Sequence, residues 1–244
     1  MTVDEQELAR AVSVVRRRIQ EALERVGRRD SVRLVAVTKG QPAAMVQAVL
    51  RAGVQDVAEN RVQQWLPKLA AVPGARWHFV GRLQSNKVHA VVGRVALVHS
   101  VDRPSLAQAL QRVAERQGVI QPVLVQVNLA RNSGQGGVLP EAGPELLGLL
   151  ARMPHLRVLG LMTIAPRGGS AEVRAHFAAL RRLRDDWAHR LGLELPELSM
   201  GMSEDYPLAV EEGATMVRIG RALFGGEAAP DLCGEGKRPQ GGEA

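Results

Sequence analysis

Short apolar runs alternate with longer amphipathic stretches along most of this chain. The beginning differs, because residues 4–26 carry an apolar residue at every third or fourth position, with Arg and Glu among the other positions. This spacing predicts one long amphipathic helix with a single buried face. The apolar positions of that face are Leu8, Val12, Val15, Ile19 and Leu23.

Eight strand-like runs come next, and a helix-like stretch follows each of them. The predicted strands cover residues 32–38, 55–59, 76–81, 95–101, 121–129, 157–164, 197–201 and 214–220. The predicted helices cover residues 42–53, 61–72, 85–94, 104–118, 140–152, 171–192, 203–213 and 221–225. Pro42 and Gly53 suit the start and the end of the first of these helices, and Pro67 predicts a break in the second.

Strict alternation of strands and helices predicts a parallel sheet. The strands read as nearly continuous apolar runs, which is typical of strands buried on both faces. Eight such units in 244 residues favour a single-domain (β/α)8 TIM barrel with an additional N-terminal helix. An open doubly wound sheet is the main alternative, but the first strand is not followed by a Gly-rich dinucleotide fingerprint.

The predicted organisation has three parts. Residues 1–30 form the N-terminal helix, which packs on the barrel, and residues 31–225 form the ligand-binding barrel itself. Residues 226–244 are rich in Gly, Glu and Pro and are expected to be a disordered tail.

Composition narrows the class of protein. Apolar residues make up 45% of the chain, yet no run of them approaches the length of a membrane span. The beginning, MTVDEQELAR, is acidic and polar, unlike a signal peptide. A single cysteine, Cys233, excludes an intrachain disulfide framework and indicates a reducing compartment. We therefore predict a cytoplasmic protein, and we expect a monomer.

Charge and residue types argue against several partners. The formal charge of +7 permits anion binding, but we attribute it to a general preference for arginine over lysine. The stretch RRLRDD at 181–186 is interpreted as a solvated helix face, and the few aromatic residues make a poor nucleic-acid stacking platform. No His, Cys or carboxylate cluster has metal-ligand spacing. We therefore predict no metal, no nucleic acid and no membrane partner.

One lysine stands directly after the first predicted strand. In RLVAVTKG, residues 33–40, the apolar run ends just before Lys39, and the C-terminal strand ends of a TIM barrel carry its chemistry. Apolar walls at the barrel mouth favour a neutral amine, which is a nucleophile toward aldehydes. The alternative is a lysine whose amine reaches solvent, and the first strand alone favours neither interpretation.

The last predicted strands add an arginine and a candidate phosphate site. Arg218 alternates with Val217 and Ile219 and so can face inward, where a guanidinium can hydrogen-bond a ring nitrogen or an anion. Gly220 lies where the last predicted strand turns into a helix and has no side chain, so free backbone N–H groups there can bind a phosphate. Ser203 fits a helix N-cap, which explains it without a ligand. An amine, an arginine and a phosphate site on one barrel rim suggest pyridoxal phosphate.

The chain resembles the pyridoxal phosphate homeostasis protein family, whose members are single-domain relatives of the alanine racemase barrel. The matching stretches run from residue 34 to residue 225: LVAVTKGQP, AENRVQQ, WHFVGRLQSNK, VHSVD, VLVQVN, GLMTI and LSMGMSEDYPLAVEEGATMVRIGRALFG. The resemblance implies pyridoxal 5′-phosphate, a form of vitamin B6, held as a Schiff base (aldimine) on Lys39, with Arg218 at the pyridine nitrogen. It implies Gly220, Arg221 (through its backbone) and Ser203 at the phosphate.

Other positions match the family's barrel mouth with roles less closely defined. These pocket-lining positions are Asn60, His78, Thr163 and Met200. From the residues themselves, a lone strand histidine such as His78 or His99 is more typical of a satisfied core residue than of a catalyst. The chain departs from the family in reading ENRVQQ for ENYVQE, and in having Asn132 and Gln135 where a Glu and a Lys are common.

Three functions remain to be compared. The first is a protein that buffers pyridoxal phosphate or delivers it to apoenzymes without fast turnover, the second is a pyridoxal-phosphate racemase, and the third is a basic nucleic-acid scaffold. Racemisation needs an acid/base group on each face of the substrate, and in alanine racemases the second is a tyrosine from another domain. Tyr206 is the single tyrosine here and lies on a predicted crossover helix. An arginine at the ring nitrogen also weakens the electron sink, so both arguments favour the carrier.

Overall fold

A closed barrel of eight parallel strands forms the centre of the protein, and helices surround it. The structure is a computed structural model that describes residues 5–225. In chain order, strands β1 to β8 span Arg33–Val37, Asp56–Glu59, Arg76–Phe79, Leu97–Val101, Gln121–Gln126, Leu156–Met162, Glu197–Ser199 and Met216–Ile219. Each strand pairs with the next, and β8 closes the barrel against β1. The predicted (β/α)8 barrel is confirmed.

The helices follow the predicted order, and most of them are shorter than predicted. Helices α1 to α9 span Glu5–Arg25, Ala43–Arg51, Val62–Ala71, Val88–Val91, Pro104–Gln117, Gly143–Ala151, Ser170–Leu191, Tyr206–Glu211 and Arg221–Phe224. Short 3₁₀ helices over Ser85–Lys87 and Pro140–Ala142 precede α4 and α6. The helix predicted over 203–213 begins three residues later, at Tyr206, and this shift changes the environment of Ser203.

Helix α3 differs from its prediction at Pro67. A break is predicted there, but the helix is continuous over Val62–Ala71 with Pro67 inside it. Trp65 and Lys68 lie on either side of Pro67, and both are buried. Their packing offsets the hydrogen bond that the proline nitrogen cannot donate.

The apolar core has two layers, one inside the barrel and one between the barrel and the helices. The inner layer consists of Val35, Ala58, Leu97, Leu124, Met162 and Met216. The outer layer is much larger and includes the buried face of α1. Successive side chains of a strand point to opposite faces. If one residue of a strand belongs to the inner layer, the next residue therefore points outward toward the helices.

Helix α1 joins the barrel through this outer layer. Its buried residues are the five apolar positions predicted from the sequence, together with Ala22, and the helix packs against α8, α9 and α2. The predicted tail, residues 226–244, lies outside the described residues, as do residues 1–4.

The contact between β6 and β7 requires a glycine. Gly160 has a φ of +153°, and a Cβ at this position would lie 1.9 Å from the carbonyl oxygen of Glu197. A side chain would therefore push the two strands apart. Their close pairing brings the end of β6 beside the end of β7, where the Thr163 N–H donates to the carbonyl of Ser199 at 3.2 Å.

Candidate cofactor site

Strands β1 and β8 bring the main predicted site residues to one end of the barrel. Val35 pairs with Arg218 in the register of these strands, and Lys39 follows four residues after Val35. Gly220 lies beside β1, because a Cβ built on it would be 3.4 Å from the carbonyl oxygen of Val37. Lys39, Arg218 and Gly220 therefore lie on adjacent chain segments at the C-terminal end of the barrel.

Lys39 lies in a turn after β1 and is exposed. Within residues 5–225 its amine has no hydrogen-bond or ion-pair partner. Apolar residues at the strand ends, Val37, Val80 and Ile164, pack on the inner layer, whereas Lys39 itself lies in the exposed turn beyond Val37. The amine is therefore accessible to a ligand at the mouth.

A buried ion pair supports this turn from the side of β2 and α3. The Lys68 amine lies 2.5 Å from a carboxylate oxygen of Glu59 and donates to the carbonyl of Thr38 at 2.8 Å. The Thr38 hydroxyl donates to the same carboxylate oxygen at 2.8 Å. Thr38 immediately precedes Lys39, so this Glu59–Lys68–Thr38 cluster holds the backbone that carries the candidate nucleophile.

This cluster is not among the site residues predicted from the sequence. A lysine on an amphipathic helix ordinarily reaches solvent, so the position of Lys68 in α3 gives no sign of this role. The available signal was Glu59, a carboxylate at the end of a strand that is buried along its whole length. A buried carboxylate requires a cation or several donors, and α3 supplies the cation.

Arg218 is the buried cation of the site. Its guanidinium donates to the Ser199 hydroxyl at 2.7 Å and to the Thr163 carbonyl at 2.8 Å. These two bonds use two of its five N–H groups. Burial lowers the pKa of Arg218 to about 10, with Asp205 acting in the opposite direction, so the group stays charged at neutral pH. It can therefore offer a fixed donor to a ring nitrogen or an anion.

Ser203 faces the turn after β8 and does not cap α8. Its hydroxyl accepts from the N–H of Gly220 at 3.3 Å and from the N–H of Ala222 at 3.2 Å. The N-cap prediction fails because Asp205 orders the preceding turn by accepting from the Met202 N–H at 2.6 Å. Two long hydrogen bonds converge on one hydroxyl, an arrangement that a phosphate oxygen can share or replace. Arg221, in the same turn, pairs with Glu204 at 2.5 Å.

Asn60 follows β2 at the same end of the barrel. Its side-chain oxygen is buried and has no hydrogen-bond partner among the described residues. The residue lines a cleft of about 650 Å³ whose other lining residues include Arg61, Arg82, Lys87 and Arg103. An unpaired buried side-chain oxygen is the kind of polar atom expected beside a ligand site.

Thr163 and Met200 turn their side chains away from the barrel mouth. Their preceding neighbours, Met162 and Ser199, point into the barrel, so alternation directs these two outward. The Thr163 hydroxyl donates to the Val127 carbonyl at 3.0 Å, and Met200 belongs to the outer apolar layer. Pocket-lining roles for both residues stay predictions, and the contact made toward the site is that of the Thr163 carbonyl with Arg218.

His78 lies inside the barrel below the mouth. Its two ring nitrogens contact Asp56 and His99, each at 2.8 Å. The His78 side chain faces inward, as that of a pocket residue would. However, it lies one inward-facing position before the mouth, and it is hydrogen-bonded to Asp56 of β2, which lies still deeper in the barrel. The expectation of a lining residue does not fit this position, and the core interpretation of His78 and His99 does.

Asn132 and Gln135, the two residues of the loop after β5 that depart from the family pattern, form hydrogen bonds with nearby backbone groups. The Asn132 side chain accepts from the Gly134 N–H at 2.9 Å, and the Gln135 amide donates to the Ile164 carbonyl at 3.1 Å. Neither residue carries the charge that a Glu or a Lys would bring to this loop.

No group of three or more metal-ligating side chains comes together in residues 5–225. None of the helices there is long and apolar enough to span a lipid bilayer.

Known proteins resemble this chain in sequence and in fold. The sequence profile of the alanine racemase N-terminal domain family matches residues 11–228. A pyridoxal phosphate homeostasis protein of Aquifex aeolicus is 44% identical over 218 residues, which is 88% of this chain and 96% of that protein. The corresponding protein of Deinococcus radiodurans is 46% identical over 211 residues, or 84% and 95% of the two chains.

Solved structures agree with these sequence matches. PipY of Synechococcus elongatus with pyridoxal phosphate bound is 40% identical and superposes with a TM-score of 0.76, covering 85% of this chain and 100% of PipY. Alanine racemase of Corynebacterium glutamicum, at 17% identity, shares the fold with a TM-score of 0.72 over 93% of this chain and 62% of the racemase. The chain therefore belongs to the alanine racemase N-terminal domain family and, within it, to the pyridoxal phosphate homeostasis proteins.

Proposed function

We propose that this protein binds pyridoxal 5′-phosphate at the C-terminal end of its barrel and serves intracellular homeostasis of that cofactor, by buffering or delivery, without fast turnover. The observation that carries the proposal is an accessible amine, Lys39, in the turn after β1, together with a buried charged guanidinium, Arg218, on the adjacent strand β8. The name of the relatives and the ligand of PipY support it. We further propose that it acts as a cytoplasmic monomer toward pyridoxal-phosphate-dependent apoenzymes.

The chain's own groups fit the three chemical parts of this ligand. Lys39 supplies an amine for covalent attachment to an aldehyde. Gly220 and Ala222 offer backbone N–H groups, and Ser203 offers a hydroxyl, for a phosphate. Arg218 has N–H groups beyond its two protein bonds and can donate to a ring nitrogen.

The same arginine favours storage over catalysis. Pyridoxal phosphate supplies an electron sink when it is bound. Arg218 weakens that sink, because a guanidinium that keeps its own proton leaves the ring nitrogen as an acceptor. Tyr206, the chain's single tyrosine, is buried in the outer apolar layer. It therefore does not stand opposite Lys39, where an alanine racemase needs its second acid/base group.

We expect amino acids to exchange their α-protons slowly or undetectably on the loaded protein. The measurement is to incubate it with each L-amino acid in deuterated water and follow the α-proton by NMR. The racemase is the second candidate function, because the barrel is shared with alanine racemases. Exchange of one amino acid at about 1 s⁻¹ or faster, within the range of ordinary enzymes, and its loss in Lys39→Ala, would establish the enzyme instead of the carrier.

A side chain at Gly220 is expected to weaken phosphate binding selectively. The backbone φ of Gly220 is −117°, which other residues adopt, and an added Cβ would make only a close contact with Val37, so the fold should survive. We expect Gly220→Val to weaken pyridoxal phosphate binding by roughly 10- to 100-fold, because the added side chain keeps the phosphate from approaching the backbone N–H groups closely enough for charged hydrogen bonds. Binding of pyridoxal, which has no phosphate, should change far less.

Titrations of both ligands against both proteins measure this difference. Gly148→Val is a suitable control, because Gly148 lies in α6 with no atom within 4 Å of an added Cβ. An equal loss of affinity for pyridoxal phosphate and pyridoxal in Gly220→Val would place the phosphate elsewhere.

A further inference from the structure

A line of buried polar side chains crosses the inside of the barrel below the candidate site. Arg218 donates to Ser199 at 2.7 Å, and Ser199 contacts a ring nitrogen of His99 at 2.9 Å. The other nitrogen of His99 contacts His78 at 2.8 Å, and His78 contacts Asp56 at 2.8 Å. These residues come from β8, β7, β4, β3 and β2. We refer to Ser199, His99, His78 and Asp56 as the buried relay.

The hydrogens of the buried relay can be assigned from chemistry alone. A guanidinium only donates, so the Ser199 oxygen accepts from Arg218. The one hydroxyl hydrogen of Ser199 then goes to Nδ1 of His99, which places the His99 proton on Nε2. That proton is donated to Nδ1 of His78, whose own proton lies on Nε2 and is donated to Asp56. With one proton on each ring, every donor points from Arg218 toward Asp56.

An additional proton on the rings would disturb this order. A charged His78 would donate from both nitrogens, so His99 would carry its proton on Nδ1 and donate to Ser199. The Ser199 oxygen would then accept twice, and its own hydrogen would need another acceptor. Complete burial is the main cause that holds the pKa of His99 well below its usual value, so the His99 ring itself is neutral.

A charged group lies at each end of this hydrogen-bonded line. Arg218 provides the positive end, and the Asp56 carboxylate provides the negative end. Arg76 lies 2.9 Å from one oxygen of Asp56 and donates to the other at 3.1 Å. Burial acts to raise the pKa of Asp56, but its hydrogen bond with His78 and the positive charge of Arg76 act to lower it, and the pKa lies below its ordinary value. The carboxylate is therefore a stable final acceptor.

We propose that the buried relay positions Arg218, by keeping a lone pair of the Ser199 hydroxyl directed at the guanidinium and so fixing the donors that Arg218 presents to the ligand ring. The other partner of Arg218, the Thr163 carbonyl, is backbone and cannot rotate. A hydroxyl can rotate, and His99 prevents it by accepting the hydroxyl hydrogen. Ser199, His99, His78 and Asp56 are thus positioning residues, and this assignment rests on the proposed function of Arg218 toward pyridoxal phosphate.

The first test uses the protein without any ligand. Long-range ¹H–¹⁵N NMR of the imidazole rings reports which nitrogen of each histidine carries the proton, and single His variants assign the signals. At neutral pH we expect both His78 and His99 to be neutral with the proton on Nε2. A proton on Nδ1 of His99, or a charged His99, would overturn the relay whatever the protein binds.

The second test measures pyridoxal phosphate affinity. In His99→Phe the Ser199 hydroxyl loses its acceptor, and we expect binding about tenfold weaker, the cost of one mispaired buried donor. Asp56→Asn keeps an acceptor oxygen for His78. In the NMR measurement this variant should therefore show the same His99 tautomer as the wild type. His155→Phe, outside the barrel where His155 contacts the Val119 carbonyl, should bind like the wild type.

Circular dichroism establishes that each variant is folded. If His99→Phe does not fold, Ser199→Ala decides the matter, because it removes the acceptor of Arg218 directly and is expected to show the same loss. Wild-type affinity in a folded His99→Phe or Ser199→Ala protein would overturn the positioning role. Failure of the wild type itself to bind pyridoxal phosphate would overturn the proposed function, and the ring tautomers would still decide the relay.

Discussion

Lys39→Ala is expected to abolish covalent attachment of pyridoxal phosphate completely. The wild-type protein should purify yellow or become yellow when the cofactor is added, because the Lys39 amine is accessible at the barrel mouth. An alanine side chain has no nucleophile, so the visible band should be lost and any residual binding should be noncovalent. The measurement is borohydride reduction of the loaded protein, followed by mass spectrometry of its peptides.

Two other lysines provide the controls for this experiment. Lys87 lines the cleft beside Asn60, and Lys87→Ala removes the same charge from the same end of the barrel while leaving Lys39 in place. Lys68 is buried and paired with Glu59, so it should remain unlabelled. Cofactor mass on a peptide containing Lys87 or Lys68, with none on the Lys39 peptide, would contradict the assignment.

Lys68→Met is expected to lower the free energy of unfolding by about 3–5 kcal/mol, the usual cost of removing one partner of a buried ion pair. Glu59 would then be a fully buried carboxylate without its cation. The Thr38 carbonyl would also lose its donor, so the turn carrying Lys39 should be less well held. Urea unfolding measures the first effect, and the rate of borohydride-trapped attachment at Lys39 measures the second.

The double variant Lys68→Met/Glu59→Gln separates charge from packing. The neutral amide needs no cation, so we expect it to recover much of the lost stability. The exposed pair Arg51 and Glu5 is the matched surface control, and Arg51→Met should cost less than about 1 kcal/mol. A Lys68→Met protein as stable as the wild type would show that the buried pair does not hold this turn.

The alternation of apolar runs and amphipathic stretches was sufficient to predict the barrel. Each strand is a short run with both faces buried, and each helix carries the chain back to the next strand, so local periodicity determined the order of elements. Parallel strands that close into a barrel have their C-terminal ends together. Lys39, Arg218 and Gly220 could therefore be assigned to one end of the barrel before any contact was known.

Contacts between distant strands were decided by the tertiary structure alone. Ser203 serves the turn after β8 and not the helix that follows it, since the turn ordered by Asp205 delays that helix. Thr163 and Met200 point outward because the strand ends place their neighbours inside the barrel. One residue of register reverses the direction of a side chain, and sequence periodicity does not define strand ends to one residue.

The buried polar groups show most clearly what the sequence pattern could not predict and the tertiary structure decided. His99 and Ser199 are hydrogen-bonded across 100 residues of sequence, and Arg218 reaches the Thr163 carbonyl across 55. No local pattern encodes such pairs, because they depend on the stagger and closure of all eight strands. The sequence by itself determined the barrel and the end at which its chemistry lies, whereas the three-dimensional closure of the barrel decided which charged and polar groups meet inside it.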